Sequence, residues 1–206
     1  MILSKSRKFI FAAIPKTGTH SVRRALREHM SPDDLEQVGL FVQRAFPIPE
    51  LARIGHGHIT LAQLRPHMAP DEFKSFFKFA FVRNPFDRFV SYSSFITREV
   101  GHFDRDPQRV MRHFLANPPV NHILFRPQHE FVTDEAGNLL TDYVGRVETM
   151  QQSYDEIAER IGIPTAQLDV VNSSRRSDYR QYYDQALIDG VATLYARDLK
   201  LFGYQF

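Results

Sequence analysis

The stretch Lys8-Phe9-Ile10-Phe11-Ala12-Ala13-Ile14, followed at once by Pro15-Lys16-Thr17-Gly18-Thr19-His20-Ser21, decides the fold. Its first half is short, apolar and rich in Phe and Ile, the pattern of a buried strand. Its second half is a loop leading into a helix predicted over 19–29, with Val22, Ala25 and Leu26 on one face and Arg23, Arg24 and Arg27 on the other. The arrangement recurs downstream. The apolar run Phe77-Lys78-Phe79-Ala80-Phe81-Val82 leads into Arg83-Asn84-Pro85-Phe86-Asp87-Arg88-Phe89-Val90-Ser91 and a helix over 86–97 opened by Pro85. A third strand over 142–147 precedes an amphipathic helix over 150–161, ended by Gly162 and Pro164. Strands alternating with helices predict an α/β fold with a parallel sheet flanked by helices.

Around this frame, Thr60 is read as the cap of a short helix running to Met68, with Pro66 inside it. Further helices are predicted over 107–116 and 184–202, and Asp134-Glu135-Ala136-Gly137-Asn138 reads as a turn. With 206 residues and no repeat or low-complexity tract, one domain spanning 1–206 is expected. Hydrophobic residues at 43% and charged residues at 24% suit an ordinary globular chain. A net charge of +2 is too small to argue for nucleic acid or an anionic membrane. The absence of cysteine removes disulfides, thiolate metal sites and cysteine nucleophiles together. No run approaches the ~18 apolar residues of a membrane span, and Pro15-Lys16 ends the first apolar run too early for a secretory leader. The expectation is a soluble, cytoplasmic protein with no stable membrane anchor.

Each strand–loop–helix unit is a candidate anion site, because a helix N-terminus presents free N–H groups and the positive end of its dipole. In the first, Gly18 lets the backbone approach an anion, Lys16 adds charge, and Thr17, Thr19 and Ser21 add hydroxyl donors. The loop is not a Walker A motif, since its Lys precedes the Gly. The plain alternative is a Pro-Lys-Thr-Gly turn. In the second unit, Arg83 suits bidentate phosphate binding, with Ser91 about two helical turns on. Its plain alternative is a salt bridge with Asp87. Two strands of one sheet would place both anion sites at the same edge, one for a 5′-phosphate and one for a second phosphate of the same nucleotide.

These residues resemble the sulfotransferases that use 3′-phosphoadenosine-5′-phosphosulfate (PAPS). Pro15-Lys16-Thr17-Gly18-Thr19 is similar to their 5′-phosphosulfate loop, and Arg83-Asn84-Pro85-Phe86-Asp87-Arg88 through Ser91 to their 3′-phosphate motif. Val144–Met150, Asn172–Tyr179 and Tyr195–Leu199 with Phe202-Gly203-Tyr204 resemble later segments of the carbohydrate-acting branch. The resemblance implies a P-loop NTPase-like α/β fold and PAPS as donor. It implies that Lys16, Thr17, Gly18, Thr19 and Ser21 hold the 5′-phosphosulfate, that Arg83 and Ser91 hold the 3′-phosphate, and that Arg175 and Arg176 belong to a late basic loop closing over the cofactor. His20 departs from the small polar residue common there; its imidazole either contacts the cofactor or points to solvent, and it is kept among the cofactor-binding candidates. The lack of cysteine and of an anchor departs from Golgi members and points to a bacterial-style soluble version.

Sulfuryl transfer to an alcohol needs the hydroxyl proton removed and the leaving oxygen neutralised. Lys16 is the natural group for the bridging oxygen, and no metal is called for. Gly55-His56-Gly57-His58 resembles the His-Gly-His element of uronyl and heparan 2-O-sulfotransferases, which implies His58 as base with His56 assisting. Turn or metal histidines are the alternative, although an i,i+2 His pair without a carboxylate is a poor metal site. Glu50, Glu72 and Glu130 are the carboxylates available as bases instead. Arg126-Pro127-Gln128-His129, with His102, Arg105, Arg109, Arg112 and His113, would suit an acidic sugar polymer or simply form a solvated basic face. The expected reaction is sulfation of a hydroxyl, most simply of a carbohydrate, yielding 3′-phosphoadenosine-5′-phosphate (PAP). A small-molecule kinase needing ATP and Mg²⁺, and a non-catalytic nucleotide binder, remain the rival readings.

Overall fold

The computed structural model describes residues 1–39, 43–169 and 178–206. Its strands are β1 (Ile2–Ser4), β2 (Phe9–Ala12), β3 (Leu35–Glu36), β4 (Val38–Gly39), β5 (Gln43–Arg44), β6 (Phe77–Val82) and β7 (Tyr143–Arg146). Its helices are α1 (Thr19–Arg27), α2 (Pro49–Ala52), α3 (Leu61–Leu64), α4 (Pro70–Ser75), α5 (Pro85–Thr97), α6 (His102–Arg105), α7 (Pro107–Ala116), α8 (Met150–Ile161), α9 (Gln185–Leu194) and α10 (Ala196–Phe202). They fall into two compact units. The first comprises residues 1–82 and 130–171, the second residues 83–129 and 172–206.

The first unit carries the sheet, in the order β3-β1-β2-β6-β7. Strands β2, β6 and β7 run parallel, with Phe11 beside Phe79 and Phe81 beside Gly145. The sheet is nevertheless mixed, because β1 pairs antiparallel with both β2 and β3. The tight turn through Lys8, which takes a left-handed φ of 52°, folds β1 back onto β2. Sequence reading left β1 out: three residues before a charged turn carry no periodicity to detect. Alternate residues of β2 and β6 supply Phe9, Phe11, Phe79 and Phe81 to a core shared with Val22 and Leu26 of α1 and Tyr154, Ile157 and Ile161 of α8. The Phe11 and Phe79 rings stack at 5.3 Å. Each such fully buried ring contributes about 1.5–3 kcal/mol, so the rows on β2 and β6 hold the sheet together. Helix α8 ends where expected, at Gly162 in a left-handed conformation. Helix α3 carries the Thr60 capping box with Gln63, and Pro66 turns the next residues, Arg65–His67, into a 3₁₀ turn.

The second unit is helical. Helix α5 is capped by Asn84, whose side chain accepts from the Phe86 N–H, and it opens on Pro85. Its Phe86, Phe89 and Val90 pack with Met111 of α7 and Leu187 and Val191 of α9. The expected single helix over 184–202 is two, α9 and α10, divided at Tyr195. At the division Tyr195 is buried, and its hydroxyl donates to the Phe125 carbonyl at 2.9 Å. Among the described residues, no helix is long and apolar enough to cross a membrane.

Candidate active site

The first loop leaves the end of β2 under strain. Lys16, a non-glycine residue, holds φ at 68° and Gly18 holds φ at 70°. A left-handed lysine costs about 1 kcal/mol, the kind of strain that functional loops retain. At Gly18 a Cβ would come within 2.6 Å of the Met150 methyl at the start of α8, a flexible chain end, so it is chiefly the left-handed φ that favours glycine here. Gly18 also occupies the N-cap of α1, where it offers no side chain to the first-turn N–H groups, and no acidic residue sits in that turn. A partly exposed lysine therefore precedes an uncapped helix N-terminus, the arrangement that receives anions.

The hydroxyls of this loop divide by role. Thr17 is fully buried and donates to the Ile14 carbonyl at 2.9 Å, which closes the loop on the strand end. Ser21 donates to the Asp169 carbonyl at 2.6 Å. Of the three hydroxyls expected to serve an anion, Thr17 and Ser21 thus donate within the fold, and Thr19 has no such bond among the described residues. His20, half-buried in the first turn of α1, has its pKa lowered by burial and by the charges of Arg23, Arg27 and Lys16. Its neutral imidazole adds no charge of its own to the loop.

The His-Gly-His segment meets this loop directly. His58 Nδ1 lies 2.7 Å from the Ala13 carbonyl, at the end of β2 and three residues before Lys16. A carbonyl only accepts, so Nδ1 carries the proton and Nε2 presents its lone pair. Burial lowers the His58 pKa to about 3; the bond to Ala13 works in the opposite direction, and nearby positive groups, Arg23 among them, add to the lowering. His56 has the complementary tautomer. Its Nδ1 accepts the His58 backbone N–H at 3.3 Å, which puts the ring proton on Nε2. The two rings lie 6.0 Å apart.

The segment is held from α1. Arg23 donates to the Gly57 carbonyl at 3.0 Å and to Glu36 at 2.9 Å. Sequence periodicity put Arg23 on the polar face of its helix; it is in fact 2% exposed. Glu36, buried on β3, also receives Arg27 at 2.9 Å. Burial works to raise the Glu36 pKa, but the hydrogen bonds from Arg27 and Arg23 outweigh it and hold the carboxylate below its ordinary range. Gly57 is wedged so tightly that a Cβ would fall 2.3 Å from the Gln37 carbonyl oxygen and 2.9 Å from Val38 Cα. Glycine here serves close approach and is required. Glu50 and Glu72 lie exposed on α2 and α4, and Glu130 is half-buried.

In the second unit, Arg83 and Asp87 do form the ion pair named as the alternative, with Nε and Nη2 both 2.6 Å from Oδ2. The pair fixes one edge of the guanidinium, and Nη1 takes no part in it. Arg83 is further held through its backbone: its N–H donates to Gln128 Oε1 at 2.9 Å and its carbonyl accepts from Gln128 Nε2 at 2.8 Å. Ser91 is buried in the second turn of α5. Gln128 and His129, read from sequence as donors for an acceptor, are buried and bonded within the protein, which corrects that reading. His102, Arg105, Arg109, Arg112 and His113 are exposed along α6 and α7. Arg175 and Arg176 lie outside the described residues.

The model of the sulfotransferase family matches residues 1–205, and the chain belongs to that family. It is a transferase that moves sulfuryl groups. No curated protein and no solved structure gives a significant match.

Proposed function

We propose that this sulfotransferase takes PAPS as donor and sulfates a hydroxyl of a carbohydrate, releasing the sulfate ester and PAP. In this reading Lys16, Thr17, Gly18, Thr19, His20 and Ser21 surround the 5′-phosphosulfate, through the α1 N-terminus and the lysine charge. Arg83 and Ser91 receive the 3′-phosphate. The acceptor oxygen attacks sulfur while its proton passes to His58 Nε2. The bond from sulfur to the bridging phosphate oxygen breaks, and Lys16 meets the charge left on that oxygen. The transition state is taken as loose, by analogy with phosphoryl transfer, so positioning and electrostatics dominate. His56 assists by fixing the His58 backbone and by offering an Nε2 proton.

The observation that carries this reading is the bond from His58 Nδ1 to the Ala13 carbonyl. It brings a neutral imidazole to the root of the anion loop in the tautomer a base requires. Loss of that base should cost about 10²–10⁴-fold in rate. The test compares wild type with His58→Gln for sulfate transfer from labelled PAPS to a panel of polysaccharides and simple alcohols. The variant should bind PAP as wild type does and lose turnover by that factor. Undiminished turnover would remove His58 from the chemistry. The carbohydrate part of the reading is supported by the resemblance of Gly55-His56-Gly57-His58 to 2-O-sulfotransferases and by the exposed cations of α6 and α7. The same acceptor panel decides it.

A further inference from the structure

We propose that Gln128 and Asp198 are positioning residues for Arg83, and that a buried polar network in the second unit sets the affinity for the phosphate that Arg83 receives. The inference rests on the assignment of Arg83 to the 3′-phosphate. Gln128 is fully buried, and its amide grips both sides of the Arg83 peptide, as a neighbouring strand would. A buried side chain spent wholly on one residue's backbone makes no ligand contact itself, yet fixes where that residue's side chain begins.

Gln128 is in turn held. Its N–H donates to Asp198 Oδ2 at 2.8 Å, and the His129 N–H donates to Asp198 Oδ1 at 2.8 Å. His129 Nδ1 also lies 2.6 Å from Oδ1. Asp198, on α10, is fully buried. The preceding residues are fixed the same way. Arg88 of α5, buried, donates through Nη2 to the carbonyls of Leu124 and Arg126 at 3.1 and 2.8 Å. Tyr195 donates to the Phe125 carbonyl between them. Three buried side chains thus satisfy five backbone groups of one irregular segment, and the segment's only fully buried polar side chain reaches Arg83. Buried backbone is paired as a rule; what singles out this segment is that its buried Gln128 side chain is given to the Arg83 peptide on both sides. The arrangement is that of a supporting shell holding a ligand-binding side chain in place.

The experiment uses PAP and AMP, which differ by the 3′-phosphate, titrated into the full chain by calorimetry. Wild type should prefer PAP, and Arg83→Ala should abolish that preference. Gln128→Met, close in volume but unable to grip the peptide, should cut the preference for PAP by about tenfold or more, the lower end of what supporting residues contribute at metal-ligand sites, while AMP affinity stays unchanged. Asp198→Asn should do the same to a smaller degree. Gln128→Glu keeps the acceptor for the Arg83 N–H and loses the donor; it should fall between wild type and Gln128→Met, and it carries the test if Gln128→Met does not fold. A full PAP preference in folded Gln128 variants, alongside its loss in Arg83→Ala, would overturn the inference and leave the Arg83 assignment standing. A preference retained in Arg83→Ala would overturn both.

Discussion

At the scale of single residues, two side chains of the proposed site are in unusual states. His58 is neutral because burial holds its pKa near 3, well under the ordinary value of about 6.5. Between those values the unfolded chain binds a proton at this position and the folded chain does not. Stability tied to His58 is therefore complete above about pH 6.5 and is lost as pH falls toward 3. Melting temperatures measured from pH 8 to 4 should drop less steeply for His58→Gln than for wild type; parallel curves would mean the histidine is not held neutral. By the same argument kcat/KM should show no acid limb near pH 6.5 from this group, since it is already unprotonated there. Lys16 is the second case. Its left-handed backbone means that Lys16→Gly relieves strain while deleting the charge. That variant should melt no lower than wild type yet turn over about 10²–10³-fold more slowly, the usual loss for one charge-stabilising donor. Recovery of rate in Lys16→Gly would show the charge to be dispensable.

At the scale of elements, α1 does two tasks: its N-terminus opens from the Lys16–Gly18 loop and its Arg23 holds the His-Gly-His segment. Glu36 of β3 secures the second task by pairing with Arg23 and Arg27. Glu36→Ala leaves Arg23 buried without its partner, which should cost about 3–5 kcal/mol, readable as a lowered denaturation midpoint, and should loosen His58 as well. A midpoint within error of wild type would show that the Arg23 charge finds compensation elsewhere. What was legible in the sequence follows element strength. Strands β2, β6 and β7 and helices α1, α5, α7 and α8 announce themselves through apolar runs, proline starts and the Gly162 stop. Strand β1 is too short to do so. Arg23 was misplaced because helical periodicity assumes a cation faces water, while a buried carboxylate on a two-residue strand reversed the choice. The division falls at Tyr195, where the sequence places no proline or glycine to announce it.

At the scale of the whole molecule, the two strand–loop–helix units were legible because each loop follows a strong strand, and β2 and β6 prove to be parallel neighbours. The support behind Arg83 was not, since Gln128 and Asp198 lie far from it in sequence and are joined to it only by folding. A nucleotide bound by the native state alone should stabilise the chain by about 2.7 kcal/mol at a hundredfold excess over Kd. PAP should thus raise the melting temperature in a concentration-dependent way, and AMP should do so only at much higher concentration; equal shifts at equal concentration would speak against a 3′-phosphate site. The most direct measurement is a calorimetric titration of the protein with PAP, set beside ADP and ATP–Mg²⁺ and repeated on Arg83→Ala. Tight PAP binding that needs Arg83, with weak binding of ADP and of ATP–Mg²⁺, is the result predicted. Equal binding of ADP and PAP, or ATP binding that depends on Mg²⁺, would contradict PAPS as the donor.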